Sequence, residues 1–230
     1  MNLILFEWKL IVRNKRLKQL FIISVVLLPL MIYFQLVTSR LLKDIFLIKE
    51  LFLLGVFAMP ANFATLAFCI NATFIEKQLI APFPIYKTLQ AKYRLFNIIS
   101  VALFIFFLPG MFLGVKFVEL IASFLFAIGF VYFGFFWTSL SSYKPFDIKA
   151  SYFYNFQGFD AANYFFPLLV MIISCSFSAL LYWLFNETIT LIAMSFTGLI
   201  FIVTNRIWLE KIGNSFEKTK YRRLERFREK

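Results

Sequence analysis

Very few side chains of this 230-residue chain could carry out catalysis or bind a metal ion. The chain has no histidine, which excludes Ser-His-Asp hydrolases, Cys-His nucleophiles and HExxH zinc sites. Its two cysteines, Cys69 and Cys175, both lie in apolar stretches, where a cysteine is typical of a small buried hydrophobic side chain rather than of a disulfide or a metal pair. We therefore predict no catalytic residue, no metal site and no cofactor bound by this chain.

Polar side chains that interrupt apolar stretches are the remaining candidates for a site. Their ordinary role in a membrane protein is an interhelical hydrogen bond, which contributes about 0.6 kcal/mol. The alternative is that they line the path of a transported substrate. The candidate path residues are Asn62, Asn71, Ser174 and Ser178.

The composition indicates which kind of protein must position these residues. Hydrophobic residues make up 61% of the chain, and charged residues make up 16%. An average soluble domain is about 45–50% apolar and about 25% charged. A soluble globule of this size could not bury so much apolar surface. The composition predicts an all-α integral membrane protein.

Long stretches without charge predict six transmembrane helices. A helix of about 20 apolar residues crosses a hydrocarbon core that is about 30 Å thick. The first stretch is expected to be a span rather than a cleaved signal peptide, because a basic lead precedes it and no small-residue cleavage site follows it. Short polar connections predict tight hairpins between the third and fourth spans and between the fifth and sixth. The stretches are residues 20–38, 51–75, 95–115, 117–140, 164–185 and 188–203.

The basic residues predict the orientation of the spans. Twenty of the 24 lysines and arginines lie in residues 1–19, 76–94, 141–162 and 206–230, and the other four (Arg40, Lys43, Lys49 and Lys116) lie in the alternate connections. Cytoplasmic loops carry the excess of basic residues. We predict a multi-pass protein of the plasma (inner) membrane with both termini in the cytoplasm. The predicted divisions are an interfacial helix (1–19), a six-span domain (20–208) and a basic cytoplasmic tail (209–230).

The middles of the predicted spans contain no Asp, Glu, Lys or Arg. Glu119 is expected near the outer end of the fourth span, within reach of lipid headgroups. Asp147 and Asp160 are both expected in a cytoplasmic loop, which argues against an intramembrane aspartyl protease. A transporter driven by protons or sodium ions would need an ionisable group in the membrane. We therefore expect the energy for any transport to come from a partner protein.

The N-terminal lead is predicted to be a helix that lies along the inner membrane surface. Leu3, Phe6, Leu10 and Leu17 fall within one stripe at helical spacing, and tryptophan with basic residues suits the membrane interface. The alternative is a basic orientation signal with no further role. The lead residues that matter most to this prediction are Phe6, Trp8, Leu10 and Arg13, of which Arg13 interrupts the stripe.

The connection over residues 75–94 has more apolar residues than a cytoplasmic loop needs. Two prolines split it into short pieces, because the residue before a proline avoids helical angles, and Pro84 is well placed to open a second short helix. Apolar side chains in a loop require a burial site, which could be the membrane interface or another protein. The residues concerned are Leu79, Ile80, Pro82, Phe83, Pro84, Ile85, Tyr86 and Leu89.

In its order of elements the chain resembles the permease subunit of type-2 ABC exporters, the ABC-2 membrane family. That family has a basic amphipathic lead and six spans. Its loop between the second and third spans runs Glu … Pro-[Ile/Val]-Ser … Leu-x-x-Lys. Glu76, Pro84-Ile85 and Leu89-Gln-Ala-Lys92 match this pattern, and Tyr86 stands where a small residue is usual.

The resemblance implies an exporter that works by alternating access. The permease would form a homodimer, or a pair with a similar permease, and would bind a separate ABC-type ATPase subunit that hydrolyses the ATP. Its substrate is expected to be hydrophobic or amphipathic, because the interior reads as aromatic and free of charge. The resemblance implies a connecting helix in the lead (Phe6, Trp8, Leu10, Arg13) and an ATPase-coupling loop made of Glu76, Leu79, Pro82, Phe83, Pro84, Ile85, Tyr86, Leu89 and Lys92.

One feature departs from that family. Many members carry a re-entrant hairpin between the fifth and sixth spans, and Asn186-Glu187-Thr188 leaves no room for one unless the fifth run is broken near residues 174–178.

Two alternatives to an exporter remain open from the sequence. The chain could be a non-transporting membrane scaffold or assembly factor that recruits partners through its cytoplasmic loops. The other alternative, an intramembrane enzyme, is disfavoured because the chain has no recognisable set of catalytic residues.

The tail over 206–230 has nine basic and four acidic residues, which indicates either an orientation signal on a solvated helix or docking on anionic lipid headgroups. Nucleic-acid binding is not expected, because orientation already accounts for the basic residues.

Overall fold

The computed structural model describes residues 3–38, 46–65, 67–68, 85–113, 115–141 and 161–228. Every regular element in these segments is helical, which confirms the prediction of an all-α protein. A 3₁₀ segment, Leu108–Leu113, follows the fourth helix. The helices are α1 (Leu3–Arg13), α2 (Lys15–Gln35), α3 (Phe46–Thr65), α4 (Ile85–Phe107), α5 (Phe117–Ser141), α6 (Ala161–Leu184), α7 (Glu187–Val203) and α8 (Asn205–Arg228).

Five of the described helices are long and apolar enough to cross a membrane, namely α2 to α6. The sixth candidate span is α7 together with the first part of α8, and these two helices meet at a bend of 60°. The chain therefore has five or six long apolar helices, as expected of a multi-pass membrane protein. The identity of the membrane, the side that each terminus faces, the surface position of the lead and the predicted divisions of the chain stay predictions.

Two helices begin earlier than the sequence indicates. The third apolar helix begins at Ile85 rather than at residue 95, and the second begins at Phe46 rather than at residue 51. Both extensions contain charged residues that are buried inside the protein, so charge does not end the helix. Pro84 therefore precedes one continuous helix of 23 residues, and the prediction of a second short helix at this point is wrong.

The helix ends gather at two opposite ends of the bundle. At one end, which we call the tail end, α1 and α8 both pack against the start of α4, and the rings of Phe68 and Phe216 stack with centroids 4.1 Å apart. At the other end, which we call the hairpin end, lie the α4–α5 turn, the α6–α7 turn and the start of α3. This grouping agrees with spans that alternate in direction.

The core between the helices is largely aromatic. The Phe57 ring contacts Phe104 and Phe124, with centroids 6.1 and 5.6 Å apart. Near the tail end, the Trp208 ring packs edge-on against Tyr93, with centroids 5.3 Å apart. These contacts join α3, α4, α5 and α8 into one core. By contrast, α6 has little of its surface buried and presents a broad apolar face.

The helices α5 and α7 touch backbone to backbone. A β-carbon built on Gly129 would overlap the Gly198 carbonyl group and would lie 2.9 Å from its Cα atom. A β-carbon on Gly198 would overlap the backbone of Leu125 in the same way. A π-helical segment, Ala127–Val131, interrupts α5 at this crossing. Only residues without a side chain allow so close an approach.

Candidate functional site

A buried ion pair joins α3 to α5 at the hairpin end. The Lys49 ammonium donates a hydrogen bond to Glu119 Oε1 at 2.6 Å, and the two side chains are 7% and 0% exposed. The other carboxylate oxygen of Glu119 accepts the backbone N–H of Lys116 at 3.0 Å. Both residues lie in the first turn of their helices. Because each charge is compensated, the pair can be buried without an isolated ion in a low-dielectric interior.

A second carboxyl group, that of Glu50, lies next to this pair and has fewer hydrogen-bond partners. The Ser123 hydroxyl donates to Glu50 Oε2 at 2.6 Å. The other oxygen, Oε1, is buried and has no hydrogen-bond partner, and the residue is 1% exposed. A buried carboxyl group with one hydrogen bond is an unusual arrangement that requires an explanation.

A second ion pair lies at the same end but in an exposed position. The Lys116 ammonium donates to Glu187, and the Lys116 side chain is 63% exposed. This hydrogen bond raises the pKa of Lys116. At the start of α7 the Asn186 side chain accepts the backbone N–H of Ile189 at 2.9 Å, as expected of a helix N-cap. We name Lys49, Glu50, Lys116, Glu119, Ser123 and Glu187 the hairpin-end cluster.

The hairpin-end cluster corrects two predictions. Lys49 was expected in a connection but lies inside α3, and Glu119 was expected to reach lipid headgroups but is fully buried. The interior of the bundle is therefore not free of charge. The sequence contains the signal that Lys49 and Glu119 stand beside long apolar runs. It does not show that the two residues are partners, because 70 residues separate them.

A similar buried pair at the tail end unites two of the predicted site segments. The Lys92 ammonium donates to Glu7 Oε2 at 2.5 Å, and both side chains are almost fully buried. Lys92 belongs to the predicted coupling loop, whereas Glu7 belongs to the lead. Hydrophobic neighbours on α1 (Leu10 and Ile11) are buried beside this pair. The structure thus attaches α1 to the start of α4.

The described residues of the predicted coupling loop pack against the chain itself. Leu89 is 1% exposed within the core, and Ile85 and Tyr86 are half-buried. The backbone of Tyr86 lies close to α8, where a β-carbon on Gly213 would be 3.4 Å away. For Leu89, the expected burial in the membrane interface or in another protein is wrong. The remaining loop residues (Glu76, Leu79, Pro82, Phe83 and Pro84) lie outside the described residues.

The predicted connecting-helix residues lie on both faces of α1. Leu10 is buried, Phe6 is half-buried against the core, and Arg13 is exposed. The Trp8 ring packs edge-on against Phe21, with centroids 5.5 Å apart. The lead is therefore helical and lies with one face on the bundle.

The structure does not bring the predicted path residues together. Ser174 donates to the Val170 carbonyl at 2.8 Å and Ser178 to the Cys175 carbonyl at 2.9 Å, so both hydrogen bonds lie within α6. Asn62 is exposed near the tail end. Asn71 lies outside the described residues.

Near the middle of the bundle, hydrogen bonds between helices come from residues that were not predicted. Ser100 of α4 and Tyr132 of α5 share a hydrogen bond of 2.5 Å. The Tyr93 hydroxyl donates to the Ile128 carbonyl at 3.1 Å. These bonds hold α4 against α5 near the middle of the bundle.

An apolar groove of about 520 Å³ runs between α2 and α4. Trp8 lies at its tail-end side, and Phe106 lies towards the hairpin end. Its lining is apolar throughout, and it includes Phe21, Val25, Leu95 and Ala102. The groove could hold an acyl chain or another apolar group of similar width.

Within the described segments, no group of three or more Cys, Asp or Glu side chains could hold a metal ion. Two buried ion pairs, Lys49–Glu119 and Lys92–Glu7, join helices across the bundle.

The chain belongs to the DUF5687 family, a family of unknown function whose model matches residues 2–230. Neither the curated proteins nor the solved structures contain a match to this chain.

Proposed function

We propose that this protein is the membrane permease subunit of an ABC exporter and that a separate ATPase subunit drives it. In this proposal the tail end faces the cytoplasm, and residues 76–84 bind the ATPase. The observation that carries the proposal is the continuity of α4. This helix begins directly after Pro84 and runs without a break from Ile85 to Phe107. A movement of the preceding loop would therefore be passed along a whole span.

The packing at the tail end supports this transmission of movement. The Lys92–Glu7 pair joins α4 to α1, and Tyr86 lies against Gly213 of α8. Removal of one partner of a buried ion pair destabilises a protein by several kcal/mol, because the other charge is left buried and uncompensated. The start of α4 should therefore move together with α1 and α8 rather than independently of them.

The distribution of basic residues supports the proposed orientation. The segments at the tail end carry most of the lysines and arginines, whereas the described basic residues at the hairpin end are Lys49 and Lys116. An excess of basic residues marks the cytoplasmic side. An ATPase in the cytoplasm would then meet the tail end.

The proposed mechanism has one energetic requirement. ATP binding must favour one arrangement of the two permease subunits over the other, because a ligand shifts an equilibrium only by its difference in affinity for the two states. Closure of the ATPase around the loop would supply that difference. A pair of permease subunits, formed by two copies or with a similar protein, follows from the resemblance to the ABC-2 family.

The groove between α2 and α4 supports a hydrophobic or amphipathic cargo. Its apolar lining and its volume of about 520 Å³ suit a hydrocarbon chain. A polar substrate would lose its hydrogen bonds to water on entering such a groove and would gain none.

Site-specific photocrosslinking in cells tests this function. A photoreactive amino acid at Lys87, which is exposed in the first turn of α4, is expected to crosslink to a nucleotide-hydrolysing subunit. The matched control is the same amino acid at Lys116, an exposed lysine at the opposite end of the bundle, which should not capture that subunit. Capture of the ATPase from position 116 and not from 87, or capture of other proteins alone at position 87, would contradict the proposal.

A further inference from the structure

We propose that Glu50 is a proton-binding site, in which the carboxyl group carries a proton while α3 and α5 are packed together. The inference rests on the hairpin-end cluster and is independent of the proposed transport function.

The contacts of Glu50 favour a neutral carboxyl group. An ionised carboxylate in a protein interior needs several donors or a close cation to replace its water shell. Glu50 receives one hydrogen bond, from Ser123, and its Oε1 atom is buried without a partner. The nearest lysine along the helix, Lys49, is already held by Glu119 at 2.6 Å. Proton uptake removes the uncompensated charge without moving any helix.

The two acidic side chains that face Glu50 disfavour its ionised form, and the charge of Lys49 opposes them. Glu119 on α5 and Glu187 on α7 are both acidic, and each has its own lysine partner. With those two pairs neutral, an ionised Glu50 would leave one unbalanced negative charge at 1% exposure. Two buried carboxylates at close range cannot both ionise easily.

The other helices that pack against α3 add no compensating charge. Their described parts next to α3 are residues 20–35 of α2, 95–107 of α4 and 165–184 of α6, and none of these contains Asp, Glu, Lys or Arg. The titratable side chain of α6 at this end is Tyr182, whose ring stacks on Phe46 with centroids 4.9 Å apart. Arg40, Lys43 and Asp44 precede α3 and lie outside the described residues.

Release of the proton requires water. If α3 and α5 separate at the hairpin end, Glu50 gains solvent and the ionised form becomes stable, as it is for an ordinary exposed glutamate near pH 7. Separation and proton release are then linked, so that acidic conditions at the hairpin end favour the closed arrangement. A glutamine at position 50 would imitate the protonated form permanently.

Thermal unfolding of the purified protein in detergent micelles tests the inference. The variants are Glu50→Gln and, as a matched control, Glu210→Gln, which changes a carboxyl group in an exposed pair at the tail end. If folded Glu50 keeps a proton that the unfolded chain releases, stability falls as the pH rises from about 5 to about 8. The unfolding temperature of the wild type should therefore fall over this pH range relative to that of Glu50→Gln. The unfolding temperature of Glu210→Gln should fall in the same way as that of the wild type.

Two results would overturn the inference. One is a Glu50→Gln curve that runs parallel to that of the wild type at every pH. The other is failure of Glu50→Gln to fold, because an ionised and required carboxylate is the state that glutamine cannot replace. Infrared spectroscopy gives an independent reading: the wild type should show the C=O band of a protonated carboxyl group at neutral pH, and Glu50→Gln should lack it. A wild-type spectrum without that band would contradict the assignment.

Discussion

At the scale of single residues, the hairpin end offers two lysine–glutamate pairs that differ mainly in burial. Lys49 and Glu119 are buried, whereas Lys116 and Glu187 are partly open to solvent. A buried pair contributes little net stability compared with apolar side chains, but the loss of one partner leaves a charge that nothing compensates. In an exposed pair, water can solvate the charge that remains when one partner is removed. Removal of the lysine should therefore destabilise the protein more at the buried pair than at the exposed one.

Substitution of the two lysines by methionine tests this difference. We expect Lys49→Met to lower the free energy of unfolding by about 3–5 kcal/mol, because Glu119 is then buried without a cation. Lys116→Met should change it little. Equilibrium unfolding in micelles measures both effects, and the double variant Lys49→Met/Glu119→Leu should recover most of the loss. Equal effects of the two single substitutions would show that burial does not set the strength of these pairs.

The residues at the tail end show how far the sequence could predict the site. The loop pattern selected Lys92 as a position of interest, and the structure shows it buried in an ion pair. Its partner, Glu7, was not predicted, because the pair joins residues 85 positions apart. Hydrophobic periodicity locates helices, but it carries no information about which helices are neighbours.

At the scale of helices, α5 and α7 cross with their backbones in contact. The crossing depends on Gly129 and Gly198, whose backbones touch. Gly55 of α3 is a natural contrast, because a β-carbon there would meet no atom within 4 Å. The sequence alone does not show which of these glycines lies at a close helix contact. Which of them is required depends on the neighbour in space.

Glycine-to-alanine substitutions test the crossing. We expect Gly198→Ala and Gly129→Ala each to destabilise the protein by about 1–3 kcal/mol, because an overpacked contact forces the helices apart. Gly55→Ala is the matched control and should be neutral or slightly stabilising, because alanine has the higher helix propensity. Thermal unfolding in micelles compares the three variants. Equal stability of Gly198→Ala and Gly55→Ala would show that α5 and α7 do not pack as described.

The tail helix α8 packs one face against the bundle, which the sequence did not predict. The sequence offered an orientation signal on a solvated helix or docking on lipid headgroups. In the structure Leu209, Ile212 and Phe216 are buried against the bundle, while Lys211 on the opposite face is exposed. The helical spacing of these apolar residues was visible in the sequence. Their burial site was not, because α4 and α5 supply it from far along the chain.

At the scale of the whole molecule, the sequence predicted the helical membrane-type architecture and the two tight hairpins. Long uncharged stretches are a strong signal, because lipid offers the backbone no hydrogen bonds. The errors are at the helix ends, where α3 and α4 extend past Lys49, Glu50 and Lys92 into regions that charge had excluded. A charged residue is compatible with a helix interior when another helix supplies its partner.

In the proposed function, this bundle takes its energy from a partner protein. The helix α4 links the loop at 76–84 to the middle of the membrane domain, and ion pairs hold it to its neighbours at the tail end. In the proposed function, the chemical step of ATP hydrolysis lies on another subunit. The purified chain should then hydrolyse ATP only together with that subunit.

The most direct measurement is ATP hydrolysis by the complex that co-purifies with this chain in mild detergent. We predict that the wild type and the exposed-surface control Lys211→Ala recover a nucleotide-hydrolysing subunit with its activity. Phe83→Asp in the proposed coupling loop should lose both while the chain stays in the membrane. Recovery of the wild-type chain without any ATPase, or full activity with Phe83→Asp, would contradict the account.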